Sequence, residues 1–424
     1  MVHKDPVVVT GMGAVSPLGV GVETNWRRLL EGRSGIVTND RFDVSGFSCT
    51  IAGLVPPKET DIHGFDPREW VDARDIRKMD RFIQYGLAAT AEALAQAVWM
   101  PEDEGARART AIIIGTGVGG SPLMAEAVKT ILTRGPRRLS PFTVPAFLAN
   151  LAAGWVSIRY GFTGPIGAPV TACAAAGQAI GDGLRLILTG EADVVVCGGA
   201  EGSVDPISIG GFAASRALCT AFNHAPEEAS RPFDRDRAGF VLAEGSGILV
   251  IERLSHARAR GATPLAVLAG YGTTADAYHL TAGHPDGRSA AAAMRQALSM
   301  AGLAAEDIDH INAHSTSTEV GDAAELAAIS SVFASREKAL AIAATKSSTG
   351  HLLGAAGAIE AIFSVMALRE GVVPATLNLK NPDEAASRFD MVAGKPSHRK
   401  LRHVLSNAFG FGGVNASLIF SQIP

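Results

Sequence analysis

The chain has 424 residues and a formal net charge of -4, with 38 basic side chains against 42 acidic ones, which argues against nucleic acid as a partner. No stretch approaches the roughly 20 apolar residues of a membrane-spanning helix. The first residues carry His3, Lys4 and Asp5 rather than an apolar export signal, and the four cysteines lack Cys-x-x-Cys spacing, so a reducing cytoplasm is the expected location.

Short β-rich runs alternate with helix-like stretches throughout, the pattern of an α/β fold whose sheets are covered on both faces. In chain order the sequence predicts a strand over 6–10 that turns through Gly11-Met12-Gly13, a helix over 22–30, a strand over 111–114, a helix over 179–189, and strands over 192–197 and 246–251. A second series follows: a strand over 265–269, a helix over 290–301, strands over 308–313 and 341–344, a helix over 355–368 and a closing strand over 416–420. Ala-Ala-Gly at 175–177 echoes Ala-Ala-Gly at 355–357, an offset of 180, and each opens an apolar helix. The expected organisation is two duplicated α/β halves, residues 1–261 and 262–424.

Cys173 stands between a short β run and the first turn of a helix, where helix N–H groups and the helix dipole favour a thiolate. Cys49, Cys197 and Cys219 have no such setting and read as structural. His314, in Asn312-Ala313-His314-Ser315-Thr316, and His351, in Gly350-His351-Leu352, are expected at strand ends. Two neutral imidazoles donating hydrogen bonds can stabilise the enolate left when a malonyl thioester loses carbon dioxide. His310 and His314 are four apart, but no Glu follows His310, so no metal is expected. Ser406-Asn407-Ala408-Phe409-Gly410-Phe411-Gly412-Gly413 interleaves bulky rings with glycines, as a pocket gate or a strand-edge turn would. Gly115-Thr116-Gly117-Val118-Gly119-Gly120 fits Gly-x-Gly-x-x-Gly, yet no acidic ribose ligand follows at the required distance, which disfavours a dinucleotide-dependent oxidoreductase.

Together with Val9-Thr10-Gly11-Met12-Gly13, Gly135-Pro136-Arg137-Arg138, Arg231-Pro232-Phe233-Asp234 and Asp276-Ala277-Tyr278-His279, these segments resemble the β-ketoacyl-acyl-carrier-protein synthase family, closest to its type II fatty-acid condensing enzymes. The resemblance implies a thiolase-like fold in layered αβαβα architecture. It also implies Cys173 as nucleophile, His314 and His351 as the decarboxylation pair, Lys346 with Glu360 as an electrostatic support, and Phe411 as gate and oxyanion donor. Thr316 and Thr318 would meet the pantetheine arm, and Val118, Phe212 and Phe409 the acyl substrate. Arg137, Arg138, Arg216, Arg77 and Lys78, extended by Arg74, would meet the acidic acyl carrier protein. No cofactor is implied, since the substrates carry 4'-phosphopantetheine on that protein, and a homodimer is. Ser315, Glu319, Ala175, Ala238, Ala243 and Ala408 depart from the family pattern, which leaves room for a paralogous ketosynthase of a specialised lipid or polyketide pathway.

Overall fold

The computed structural model describes residues 5–336 and 339–424; Met1 to Lys4, read above for the absence of an export signal, lie outside them. The main strands are β1 (Val7–Ser16), β2 (Thr110–Gly115), β3 (Ile166–Gly167), β4 (Val194–Glu201), β5 (Gly245–Arg253), β6 (Ala266–Ala275), β7 (His310–Asn312), β8 (Ala341–Ala343), β9 (Asp390–Met391), β10 (His403–Gly410) and β11 (Val414–Ser421). The helices that matter here are α1 (Arg81–Ala97), α2 (Ala175–Leu188), α3 (Arg288–Ala301), α4 (Glu319–Phe333) and α5 (Ala356–Glu370).

The strands run in the order β9-β8-β7-β10-β11-β6-β1-β5-β4-β2-β3. The order repeats outward from its middle. β1 pairs antiparallel with β5, β5 antiparallel with β4, and β4 parallel with β2. On the other side β6 pairs antiparallel with β11, β11 antiparallel with β10, and β10 parallel with β7. The two series meet only where Val8 and Val9 face Val267 and Ala266.

β1 is longer than the sequence predicts, because Gly11 and Gly13 are strand residues and not a turn. Their bareness serves contact: a Cβ would come 2.1 Å from the Ala93 carbonyl oxygen at Gly11 and 1.9 Å from that of Ala89 at Gly13, so α1 lies directly on the strand. The second series repeats the device. Cβ atoms at Gly270 and Gly272 would come 2.3 and 2.0 Å from the carbonyl oxygens of Ala297 and Ala293 in α3.

Between the two series lie α2 and α5. From Ala356 to Leu368 every side chain of α5 is buried, as expected of a helix with sheet on both sides. A Cβ on Gly357 would stand 2.9 Å from the Gly177 nitrogen, so the two helices touch backbone to backbone. The structure moves the internal echo by one residue. The left-handed residues Ala172 and Leu353, the helix starts Ala175 and Ala356, and the left-handed glycines Gly190 and Gly371 are each 181 apart. An Ala-rich sequence matches itself as well one residue out of register, and only the backbone bends fix the alignment.

Gly357→Ala forces a methyl against the Gly177 backbone, and overpacking of this kind costs about 1–3 kcal/mol. Chemical denaturation is expected to show that loss with the fold retained.

Candidate active site

Each of the two central helices is entered by the same bend. Ala172 (φ 48) precedes a 3-10 turn over Ala172–Ala174 that leads into α2 and places Cys173 at the seam, 8% exposed. The bend is tight because Gly410 presses on it: a Cβ at 410 would lie 2.6 Å from the Thr171 carbonyl oxygen and 3.3 Å from the Cys173 nitrogen.

His314 follows β7 as expected. His351 does not follow β8 directly; it comes after a short helix over Lys346–Thr349 and pairs with the 241–243 segment, donating its N–H to Val241 and accepting from that of Ala243. The Cys173 Sγ and one ring nitrogen from each of the two histidines lie within 4.8 Å of one another, and all three residues are buried. The imidazoles meet nearly perpendicular, with centroids 5.3 Å apart. Phe409 packs 5.8 Å from His314, and Phe240 packs 5.4 Å from His351.

Lys346, 1% exposed, makes an ion pair with Glu360, 2% exposed, and its Nζ stands 3.3 Å from His314 Nδ1. An ammonium can only donate, so Nδ1 accepts and the His314 proton sits on Nε2. Burial holds both imidazoles well below their usual range, reinforced at each by the Lys346 charge, so both are neutral. Both ring nitrogens of His351 lack a protein partner. Burial also raises the Glu360 carboxyl to about 7, with Lys346 opposing the rise. Sulfur and two imidazoles this close are also the donor set of a catalytic zinc centre. The fixed Lys346 cation beside His314 disfavours a dication there.

The sequence predicts a thiolate at Cys173, and here burial overrides the helix end. It raises the thiol to about 11 against the pull of Lys346 and of the backbone N–H groups of Phe411 and Cys173 itself, while Glu201 adds to the rise. The Phe411 ring lies 6.3 Å from Phe212, and the loop beyond it is tied to its neighbour by Gly412 N–H donating to the Leu280 carbonyl at 2.8 Å.

Three carboxylates that sequence reasoning passed over shape the site. Glu325 accepts from the N–H groups of His314 (2.9 Å) and Ser315 (2.7 Å), from the Ser315 hydroxyl (2.7 Å) and from the Asn407 amide (3.0 Å). The departure at Ser315 is therefore absorbed into a buried network. Asp322 accepts from Thr316 N–H and Ser317 N–H and so shapes the loop where Thr316 and Thr318 share a 3.1 Å hydrogen bond. Glu201 accepts from Gly117 N–H at 2.7 Å and Gly354 N–H at 3.1 Å. Thus the Gly115–Gly120 loop already holds a carboxylate where a phosphate would need its N–H groups, against the dinucleotide reading.

Other expected residues fall as follows. His310 is buried in β7 with Nδ1 3.0 Å from the Ala341 carbonyl, and burial lowers it to about 4. Val118 is 45% exposed in the single chain. Arg77 and Arg138 line one surface cavity of about 220 Å³ with Phe142, and Lys78 lies 5.0 Å over the Phe142 ring. Only Ile76–Lys78 forms a helical turn in that stretch, and Arg74 is forked onto Asp72. Arg137 and Arg216 are exposed. A larger cavity of about 630 Å³ lies elsewhere, and its Arg28 and Arg41 are already held by Asp61 and Glu244.

The comparisons with known proteins agree. The family descriptions "Beta-ketoacyl synthase, N-terminal domain" and "Beta-ketoacyl synthase, C-terminal domain" match residues 4–257 and 265–380. The chain belongs to the β-ketoacyl synthase family. It is 48% identical to 3-oxoacyl-(acyl-carrier-protein) synthase 2 of Rhizobium meliloti, over 98% of each chain. It is 47% identical to the mitochondrial 3-oxoacyl-(acyl-carrier-protein) synthase of Arabidopsis thaliana, over 98% of this chain and 93% of that one. Among solved structures, a type II polyketide ketosynthase in complex with its acyl-carrier protein superposes with a TM-score of 0.89 at 30% identity, covering 99% of this chain and 100% of that one. The chain is thus an acyltransferase-type condensing enzyme of thiolase-like fold.

A thiol held at about 11 ionises later than a free one at about 8.5. Iodoacetamide alkylation of Cys173, read by peptide mass spectrometry, is therefore expected to rise about tenfold per pH unit between pH 7 and 10 without a plateau.

Proposed function

We propose that this enzyme performs the decarboxylative condensation of fatty-acid elongation, extending an acyl chain held on Cys173 by two carbons from malonyl-acyl-carrier protein. The observation that carries the reading is the meeting of one buried thiol with a ring nitrogen from each of two neutral imidazoles within 4.8 Å.

In the first step Cys173 Sγ attacks the thioester carbonyl of the acyl donor. The oxyanion lies between the N–H groups of Cys173 and Phe411, and the departing pantetheine sulfur takes up the thiol proton. The malonyl group then loses carbon dioxide. The electron pair of its broken C–C bond passes to an enolate oxygen that accepts hydrogen bonds from His314 Nε2–H and His351, and Lys346 fixes the His314 tautomer for that task. The enolate carbon attacks the acyl carbon, the Cys173 sulfur leaves as thiolate and takes up a proton from solvent, and 3-oxoacyl-carrier protein is released. Atoms and electrons balance without a redox partner, in keeping with a reaction whose only prosthetic group is the substrates' pantetheine.

Thr316 and Thr318 stand where the pantetheine arm would pass, with Phe212, Phe409 and Val118 along the acyl path. Arg77, Lys78 and Arg138, gathered around Phe142, with Arg137 and Arg216, suit docking of an acidic carrier protein. More than half of the exposed large apolar side chains fall between residues 118 and 170, among them Leu132 (80%) and Ile158 (73%). The helix over Ser121–Arg134 has no buried residue at all. A second copy of the chain covering this face makes the homodimer, and would also enclose Val118. The two halves are read as 1–261 and 262–424, meeting at Gly261 (φ +75) between β5 and β6. No described helix is long and apolar enough to cross a membrane, in keeping with a cytoplasmic enzyme.

Incubation with acyl- and malonyl-carrier protein is expected to give an acyl adduct on Cys173 and a 3-oxoacyl product by mass spectrometry. Cys173→Ala loses both, and His314→Ala and His351→Ala keep the adduct while losing the product. No adduct with any carrier protein would sink the reading. Leu132→Glu with Ile158→Arg is expected to convert a dimer to a monomer in sedimentation velocity, and a wild-type monomer would refute the proposed interface.

A further inference from the structure

We infer that Glu201 is a positioning residue of the condensing site: its buried carboxylate fills the anion cradle of the second elbow, clamps that elbow to the first half, and sets a fixed negative charge behind Cys173. The inference rests on the reading of Cys173 as the nucleophile.

Glu201 ends β4 and is 0% exposed. Its Oε2 accepts from the N–H groups of Gly117 at 2.7 Å and Gly354 at 3.1 Å, and its Oε1 from the hydroxyls of Ser203 at 2.6 Å and Thr116 at 3.4 Å. Two of these donors are backbone N–H groups, which can only donate. Burial raises the Glu201 carboxyl, and the four hydrogen bonds pull it back toward the anion. The donors come from both halves: Thr116 and Gly117 follow β2, whereas Gly354 belongs to the bend that opens α5.

By the spacing of 181, Gly354 is the counterpart of Cys173, since each follows a left-handed residue and precedes a central helix. In the first elbow the N–H of Cys173 is turned on the thiol, beside that of Phe411. In the second the equivalent N–H is taken by Glu201. No side chain fits at 354, because a Cβ there would come 2.0 Å from the Gly117 nitrogen. The carboxylate therefore occupies the cradle from the outside, in the seam between the elbows.

The strand that Glu201 ends lies against both elbows, since a Cβ at Gly199 would come 2.6 Å from the Gly354 carbonyl oxygen and 2.7 Å from the Ala176 Cβ. Of the charges acting on Cys173, Lys346 lowers the thiol and Glu201 raises it, with His314 and His351 neutral. Asp80 and Asp205 are the further acids near Glu201, and burial keeps Asp80 protonated up to about pH 7. A second negative charge at the sulfur is disfavoured by the first at Glu201. The nucleophile thus rests as a thiol, the form resistant to stray oxidation and alkylation.

Glu201→Gln separates charge from clamp. The amide oxygen can accept from Gly117 and Gly354, and the amide N–H groups can donate to the hydroxyls of Ser203 and Thr116, which reverse their roles. Full-length protein is alkylated with iodoacetamide from pH 7 to 10, and modification of Cys173 is followed by peptide mass spectrometry. The Glu201→Gln variant is expected to react at Cys173 several-fold faster at pH 8, with its profile displaced to lower pH. Glu201→Asp, which keeps the charge and shortens the reach, is expected to keep the wild-type profile and lose thermal stability. A folded Glu201→Gln variant whose profile coincides with that of the wild type overturns the inference. If Glu201→Gln does not fold, Ser203→Ala serves instead. It removes the 2.6 Å donor, weakens the anion and is expected to give a smaller shift in the same direction, while an unchanged profile overturns the inference. Alkylation requires no acyl transfer, so a displaced profile in a protein that forms no acyl adduct would sink the proposed function and leave the role of Glu201 standing.

Discussion

Everything in this molecule hangs on the contact between its two central helices. Gly177 and Gly357 let α2 and α5 meet backbone to backbone between two sheet halves, and that closeness draws both elbows into one dry seam. Cys173 arrives there from the first half, and His314, Lys346, His351 and Glu360 from the second. A wider spacing would put the sulfur beyond reach of the imidazoles, whatever their chemistry. Glycine at 177 and 357, where the two helices touch, is thus a geometric requirement of the chemistry as much as of packing.

Dryness also decides the electrostatics. A helix N-terminus contributes about 0.3–1 kcal/mol toward a nearby anion, up to about 2 in favourable cases. Each pKa unit is worth about 1.4 kcal/mol, so a thiol raised to about 11 shows burial outweighing the helix end. The same penalty keeps both histidines neutral, so each imidazole has one N–H to donate and one nitrogen that accepts. Lys346 is the exception that orders the rest. Held by Glu360, it lowers both histidines and favours the thiolate, so one buried cation acts on three reacting groups.

Much of this was legible before any coordinates. The strand-turn-helix around Cys173, His314 after its apolar strand and the paired series of elements follow from local patterns; His351 comes instead after a short helix over Lys346–Thr349. What failed was non-local. Gly11 and Gly13 look like a turn because glycine usually supplies freedom; here it supplies bareness for a helix far along the chain. The register of the internal echo slipped by one because small residues match at many offsets. Glu201, Asp322 and Glu325 left no mark, since many of their partners are backbone N–H groups, which any residue could provide, reached across 5 to 11 residues by Asp322 and Glu325 and across 84 and 153 by Glu201. Val118 belongs by pattern to the substrate path, yet in the single chain it lies open among other exposed apolar side chains, and a lone sequence does not say what covers it.

Phe411 joins two duties in one residue: its ring packs toward Phe212 at the mouth, and its N–H is one of the two aimed at the sulfur. Its neighbour Gly412 is fastened to the Leu280 carbonyl, so the backbone there moves only in company. A backbone rotation that swings the ring out of the way also takes the donor off the sulfur. On the proposed reading of Phe411 as gate and oxyanion donor, the mouth and the machinery are interlocked like a door wired to its own power supply: with the ring swung aside the acyl carbon has half its support, and full support returns once the ring is back.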